Sequence, residues 1–144
     1  MRITQYTDYA LRVLLYLGAA PERLATIAEI AERYAISRSH LMKVVNQLVQ
    51  DGVVAGLRGK GGGIRLAKPA SEISLGALVR ELEPDLALVE CFGPANQCVI
   101  TDGCRLKGIF NEALSAFLAV LDRYTLADLL AGPQPLRQLL QLDD

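Results

Sequence analysis

The chain has 144 residues, 51% hydrophobic and 22% charged, with a net charge of -1 and three cysteines. That length suits one hydrophobic core, or a small core with a helical extension, and neither an internal repeat nor a low-complexity tract accompanies it. No apolar run reaches the roughly 20 residues of a membrane span, and the start MRITQYTDYALR puts an acid and several polar residues where a secretory signal needs an unbroken apolar stretch, so a cytoplasmic protein with reduced thiols and no membrane partner is expected.

Residues 1–72 hold ten Lys/Arg against six Asp/Glu, and residues 73–144 hold five against ten. The imbalance points to a basic working half and an acidic assembly or regulatory half. Within the first half, Tyr9, Ala10, Val13, Leu14 and Leu17 recur at helical spacing and predict a helix from about Thr7 to Ala19, with Thr7 as cap and Asp8 in the first turn. The run Thr26-Ile27-Ala28-Glu29 has the form of a capping box and opens a second helix, running to about Tyr34. Ser37 caps a third, from about Arg38 to Gln50, whose apolar stripe is Leu41, Val44, Val45 and Leu48. Two short helices across a tight connection outline a helix-turn-helix. Its free face carries donors suited to phosphates and base edges, and Ser37, Arg38, Ser39, His40 and Lys43 at its leading end are the expected DNA-facing set.

Val53–Leu57 and Ile64–Ala67 read as two short strands around the tip Arg58-Gly59-Lys60-Gly61-Gly62-Gly63. With Arg58, Lys60, Arg65 and Lys68 on or beside it, this hairpin suits a wing laid along double-stranded DNA. After a joint at Pro69-Ala70-Ser71, Ser74 caps a helix over Leu75–Leu82.

All three cysteines then fall between Cys91 and Cys104, spaced C-x6-C-x5-C, on a segment with Gly93, Pro94 and Gly103 that reads as a loop. A disulfide with a spare thiol and buried structural thiols are the plainer readings. A metal or iron–sulfur site is the stronger one, because soft thiolates favour such centres, and three of them leave one ligand position to another group. A wide apolar face runs through Leu106, Ile109, Phe110, Ala113, Leu114, Phe117 and Leu121 on a long helix, about Arg105 to Tyr124, and asks for a second copy of the chain as partner. Thr125 caps a short helix over Leu126–Leu130, broken at Gly132-Pro133, and the tail PLRQLLQLDD is expected to add a turn or to clasp the dimer. No nucleophile–base grouping suggests an enzyme.

The stretches TQYTDYALRVLLYL, SRSHLMKVVNQL, RGKGGGIRLAKP and CRLKGIF, taken together, resemble the Rrf2 family of bacterial transcription regulators across nearly the whole chain. VRELEP and DRYTLADL resemble its nitric-oxide-sensing repressors. The resemblance implies a mostly α fold with a small β wing: a winged helix-turn-helix over residues 1–83, a cluster-binding loop over 84–104, and a dimerisation helix with a helical tail over 105–144. It implies an iron–sulfur cluster, 4Fe–4S in preference to 2Fe–2S, on Cys91, Cys98 and Cys104. The fourth ligand is an aspartate from the first helix of the other subunit, which here matches Asp8. It implies a homodimer that represses promoters of nitric oxide detoxification genes and lets go of DNA when nitric oxide nitrosylates the cluster. The family's iron–sulfur-homeostasis regulators carry a histidine three residues beyond the last cysteine. Lys107 stands there in this chain, against that assignment. A regulator of another signal, a zinc or thiol-based regulator on the same frame, and a cluster-carrying assembly protein without DNA are the competing readings.

Overall fold

The structure is a computed structural model that describes residues 1–132 and 134–142. In chain order it comprises α1 (Gln5–Ala19), α2 (Ile27–Tyr34), α3 (Arg38–Gln50), β1 (Val54–Leu57), β2 (Gly63–Leu66), α4 (Leu75–Leu82), α5 (Arg105–Asp122), α6 (Leu126–Leu130) and α7 (Leu136–Leu139). It is a mostly helical fold with one two-stranded antiparallel sheet and a long helix towards its C-terminal end. Among the described residues, no helix is long and apolar enough to cross a membrane.

Helix α1 starts earlier than its periodicity suggests. Thr4, not Thr7, is the N-cap: its hydroxyl accepts the Thr7 N–H at 3.3 Å. That hydroxyl also donates to Glu83 Oε1 at 3.0 Å, and the Thr4 N–H reaches the same oxygen at 2.8 Å. Glu83, just past α4, is itself buried, so a distant carboxylate selects between two threonines that are equally good caps locally. Thr7 is then fully buried within the helix.

Thr26 caps α2 by accepting the Glu29 N–H at 3.2 Å. The Glu29 carboxylate takes the Thr26 hydroxyl at 3.3 Å, Arg23 at 2.6 Å and the Tyr16 hydroxyl at 3.1 Å. Ala35, at φ 54° and ψ 44°, ends α2 in the left-handed region, and the Ile36 N–H returns to the Ala31 carbonyl at 2.9 Å. A non-glycine residue there costs about 1–2 kcal/mol, accepted because burying Ile36 fixes the turn that aims α3.

The wing pairs Val54 with Leu66 through Leu57 with Gly63. Ala25 adds a bridge to its inner edge, exchanging hydrogen bonds with Ile64 at 2.9 and 2.7 Å. A Cβ on Gly63 would lie 2.6 Å from the Ala25 carbonyl oxygen, so that approach requires glycine.

The core gathers on α1, whose Ala10, Val13, Leu14, Tyr16 and Leu17 are buried against α3, α4, α6 and α7. The tail folds back onto its own chain, with Leu140 and Leu142 in that core. Pro133, part of the expected break, and Asp143 and Asp144 lie outside the described residues. Helix α5, the longest of the helices, has no buried residue, and its Leu106 (53%), Ile109 (57%) and Val120 (45%) are exposed. It is held at its far end, where Arg80 of α4 makes two hydrogen bonds to Asp122, at 2.5 and 2.8 Å, holding that carboxyl below the usual carboxylate range. Gly76 makes room for the pair, since a Cβ there would collide with the Asp122 carboxylate and lie 2.9 Å from Arg80 Nη1. Gly76→Ala is therefore expected to displace the Asp122 carboxylate and separate it from Arg80, with little net change in urea unfolding because both partners are exposed and alanine has the better helix propensity; loss of the Arg80–Asp122 pair in a structure of the variant is the check.

Candidate cluster site and nucleic-acid interface

Helix α3 presents Ser37, Arg38, Ser39, Lys43 and Asn46 to solvent, while Leu41, Val44, Val45 and Leu48 hold its other face in the core. The Ser37 hydroxyl accepts the His40 N–H at 3.4 Å, and the Ser37 and Ser39 hydroxyls lie 3.0 Å apart. His40 is placed differently from its neighbours. It is half-buried edge-on to the Tyr9 ring of α1, centroids 5.0 Å apart, and so joins two helices. Gln47 is committed too, its amide donating to Asp51 at 2.7 Å. Arg58, Lys60, Arg65 and Lys68 are all exposed on or beside the wing. Among the described residues these four cations, with Arg38 and Lys43, form no ion pair. Six uncompensated cations on one helix and its neighbouring hairpin make an electrostatic footprint for a polyanion.

A groove of about 550 Å³ separates α3 from the wing, lined by Arg38, Met42, Asn46, Val49, Leu57 and Arg58 among others. Met42, apolar on a helix read for its polar face, had no signal to single it out in the sequence.

The cysteine segment contains two short 3-10 turns, Glu90–Phe92 and Thr101–Gly103. Side chains brace it: Asn96 donates to the Thr101 hydroxyl at 2.9 Å and accepts the Cys98 N–H at 3.0 Å, the Thr101 hydroxyl donates to the Cys98 carbonyl at 2.7 Å, and Glu90 accepts the Gln97 N–H at 2.9 Å. All three cysteines are free thiols. Cys91 and Cys104 are half-buried and line one open cavity of about 660 Å³ with Asp85, Phe92, Lys107 and Asn111, a size in the range of ligand sites. Cys98 is exposed and lies outside that lining. Cys104 is the residue before α5, so the positive end of an 18-residue helix opens beside it.

Asp8 is half-exposed on α1, paired with Arg12 at 2.9 Å. The Arg12 guanidinium also sits 5.9 Å from the Tyr9 ring centre and 5.8 Å from that of Tyr34, whose hydroxyl burial pushes up to about 12. Among the described residues, no three His, Cys, Asp or Glu side chains converge closely enough to hold a metal ion. The donor set nonetheless fits an iron–sulfur group in kind: soft sulfurs on one segment, two of them lining the same cavity, with the Asp85 carboxylate beside them. Asp85, a carboxylate in the cavity lining that sequence reading did not single out, is placed there by a turn in which it accepts the Ala87 N–H at 2.7 Å.

Residues 3–132 match the Rrf2 family, described as iron-dependent transcriptional regulators. The chain belongs to that family. It is a transcription regulator and not an enzyme. It is 54% identical to the HTH-type transcriptional regulator NsrR of Geobacillus kaustophilus, over 98% of this chain and 97% of that protein. It is 50% identical to NsrR of Oceanobacillus iheyensis, over 99% of each. Among solved structures it resembles the oxidized form of Staphylococcus aureus CymR, with a TM-score of 0.75 and 28% identity over 93% of this chain and 99% of that one.

The uncompensated wing cations generate a direct test. Lys60→Ala and Arg65→Ala should each weaken binding to all duplexes alike and reduce the slope of log affinity against log salt by about 1. Denaturant unfolding should move by no more than about 0.5 kcal/mol, as both side chains are exposed.

Proposed function

We propose that the chain is an iron–sulfur-dependent homodimeric repressor that reports nitric oxide by releasing promoter DNA of nitric oxide detoxification genes, acting in the cytoplasm. The observation that carries this reading is the placement of the thiols. Cys91 and Cys104 line one cavity beside the start of a helix whose apolar side is only partly covered in the single chain, with Cys98 on the segment between them. The whole-length likeness to NsrR proteins supports the choice of signal. Residues 1–83 then form the DNA-binding part, 84–104 the cluster segment and 105–144 the dimerisation part, with α6 and α7 returning to steady α1.

Cys91, Cys98 and Cys104 would hold the cluster as thiolates, and Asp8 from the other subunit would supply the fourth, oxygen donor. This set serves a 4Fe–4S cluster, which the reading favours, and equally a 2Fe–2S one. When bound, the cluster supplies the centre with which nitric oxide reacts. The chain's own residues do the rest. The N-terminus of α5 and Lys107, which lines the cavity, place positive charge beside it. Drawing Asp8 away from Arg12 sacrifices only a half-exposed pair, worth about 0–1 kcal/mol, so the carboxylate is cheap to recruit. Once recruited, it ties the cysteine segment of one subunit to α1 of the other. Helix α1 touches α3 directly, through Tyr6, whose hydroxyl donates to the Lys43 carbonyl at 3.4 Å, and through Tyr9 on His40. A fixed α1 thus holds the two recognition helices near the roughly 34–36 Å that successive half-sites require. Losing the tie releases that spacing, and affinity falls to the extent that the loose state binds more weakly.

Protein purified without oxygen should absorb in the visible, carry iron and sulfide, and lose DNA affinity on titration with nitric oxide. Colourless protein that still switches on DNA would point instead to zinc or to thiol chemistry at the exposed Cys98. Asp8→Ala should leave folding intact and blunt the nitric oxide response on DNA, whereas Asp85→Ala should respond as the parent does. The reverse pattern would place the oxygen ligand within the same subunit and remove the tether.

A further inference from the structure

The groove between α3 and the wing holds more than phosphate-seeking charge. Its α3 wall is the row Arg38, Met42, Asn46, spaced i, i+4, i+8, with Val49 alongside and Leu57 across from them. Met42 is 45% exposed, Val49 40% and Leu57 49%. Apolar side chains gain nothing from phosphate, yet here they lie bare within a rim of unpaired cations. In the major groove the apolar feature available is the thymine C5-methyl group. Asn46, one turn beyond Met42 in the same row, is exposed and forms no hydrogen bond among the described residues. A free amide has the donor–acceptor pair that matches adenine N7 and N6. His40 and Gln47 are taken by Tyr9 and Asp51.

We propose that Met42 and Asn46 determine sequence specificity by reading A·T base pairs in the major groove, Met42 against a thymine methyl and Asn46 with two hydrogen bonds to an adenine. The inference rests on the DNA-binding reading above and adds the bases that are read. Spacing agrees with it. Four residues rise about 6 Å along a helix, close to two base-pair steps of about 3.4 Å, so the two side chains can reach positions about two base pairs apart in one half-site.

The test uses full-length protein purified without oxygen. Preferred duplexes are selected from a randomised library, and the selected site is resynthesised with deoxyuridine for individual thymines and 7-deazaadenine for individual adenines. The parent should select A·T pairs in each half-site, lose about fourfold in affinity at one uracil position for the missing methyl, and lose about fivefold or more at one 7-deazaadenine position. Met42→Ala should abolish the uracil effect and Asn46→Ala the 7-deazaadenine effect, each leaving the other in place. Lys60→Ala should weaken every duplex and keep both effects. Variants that retain the parent's sensitivities, or a selected site without A·T pairs, would overturn the assignment while leaving the DNA-binding reading intact. Absence of salt-dependent binding to any duplex would overturn both.

Discussion

Burial of one face of α1 is the constraint on which the rest of the structure depends. Ala10, Val13 and Leu14 are fully covered, and α3, α4, α6, α7 and β2 all rest on the same helix. Each large aliphatic side chain buried there contributes about 1.5–3 kcal/mol, so the orientation of α1 is among the most strongly fixed features of the fold. What α1 carries on its outer face is therefore held with equal firmness. Asp8 and Arg12 stand on that face, and Tyr6 and Tyr9 lean on α3. The buried Glu83 completes the arrangement. It fixes the first turn of α1 through Thr4 at the point where the chain leaves α4 for the cysteine segment. One carboxylate thus sets the start of the helix bearing Asp8 and the departure of the segment bearing the thiols.

Much of this was legible in the sequence, for identifiable reasons. The apolar stripe of α3 and the caps Thr26, Ser37, Ser74 and Thr125 are local signals, and they give α2, α3, α4 and α6 their starts as read. The start of α1 was not legible, because Thr4 and Thr7 offer the same chemistry and the arbiter lies 79 positions away. His40 is the corresponding case at the interface. It is polar and at the leading end of the helix, but its phase sets it at the margin of the apolar stripe, where Tyr9 can reach it. Met42 is the converse, an apolar residue at the right phase for solvent, and residue type hides it.

The cysteine segment was legible as a loop from its composition, and its geometry was not. Three thiols within one short segment announce soft-metal chemistry from sequence alone. Their arrangement does not follow from sequence, because short side-chain bonds from Asn96, Thr101 and Glu90 fold the segment without bringing the sulfurs together. On the proposed reading a bound metal would supply the ordering energy, since convergence of deprotonated thiols is unfavourable until a cation offsets their repulsion. Asp8 carried no local signal at all, since a first-turn aspartate paired to Arg12 is fully accounted for by helix chemistry.

Helix α5 makes the last connection. A helix of 18 residues with no fully buried position is only partly held by its own chain: Asp122 anchors one end, Leu114 and Phe117 are half-buried, and Leu106, Ile109 and Val120 stay exposed. An apolar face left open in this way is satisfied most economically by a symmetric copy of itself, which presents the same stripe in return. Such pairing would set the N-terminal end of α5, and with it Cys91 and Cys104, against the partner subunit and not against the body of its own chain. On the proposed reading the thiols beside the start of α5 and the carboxylate on α1 are two halves of one site, and joining them would fall to the dimer.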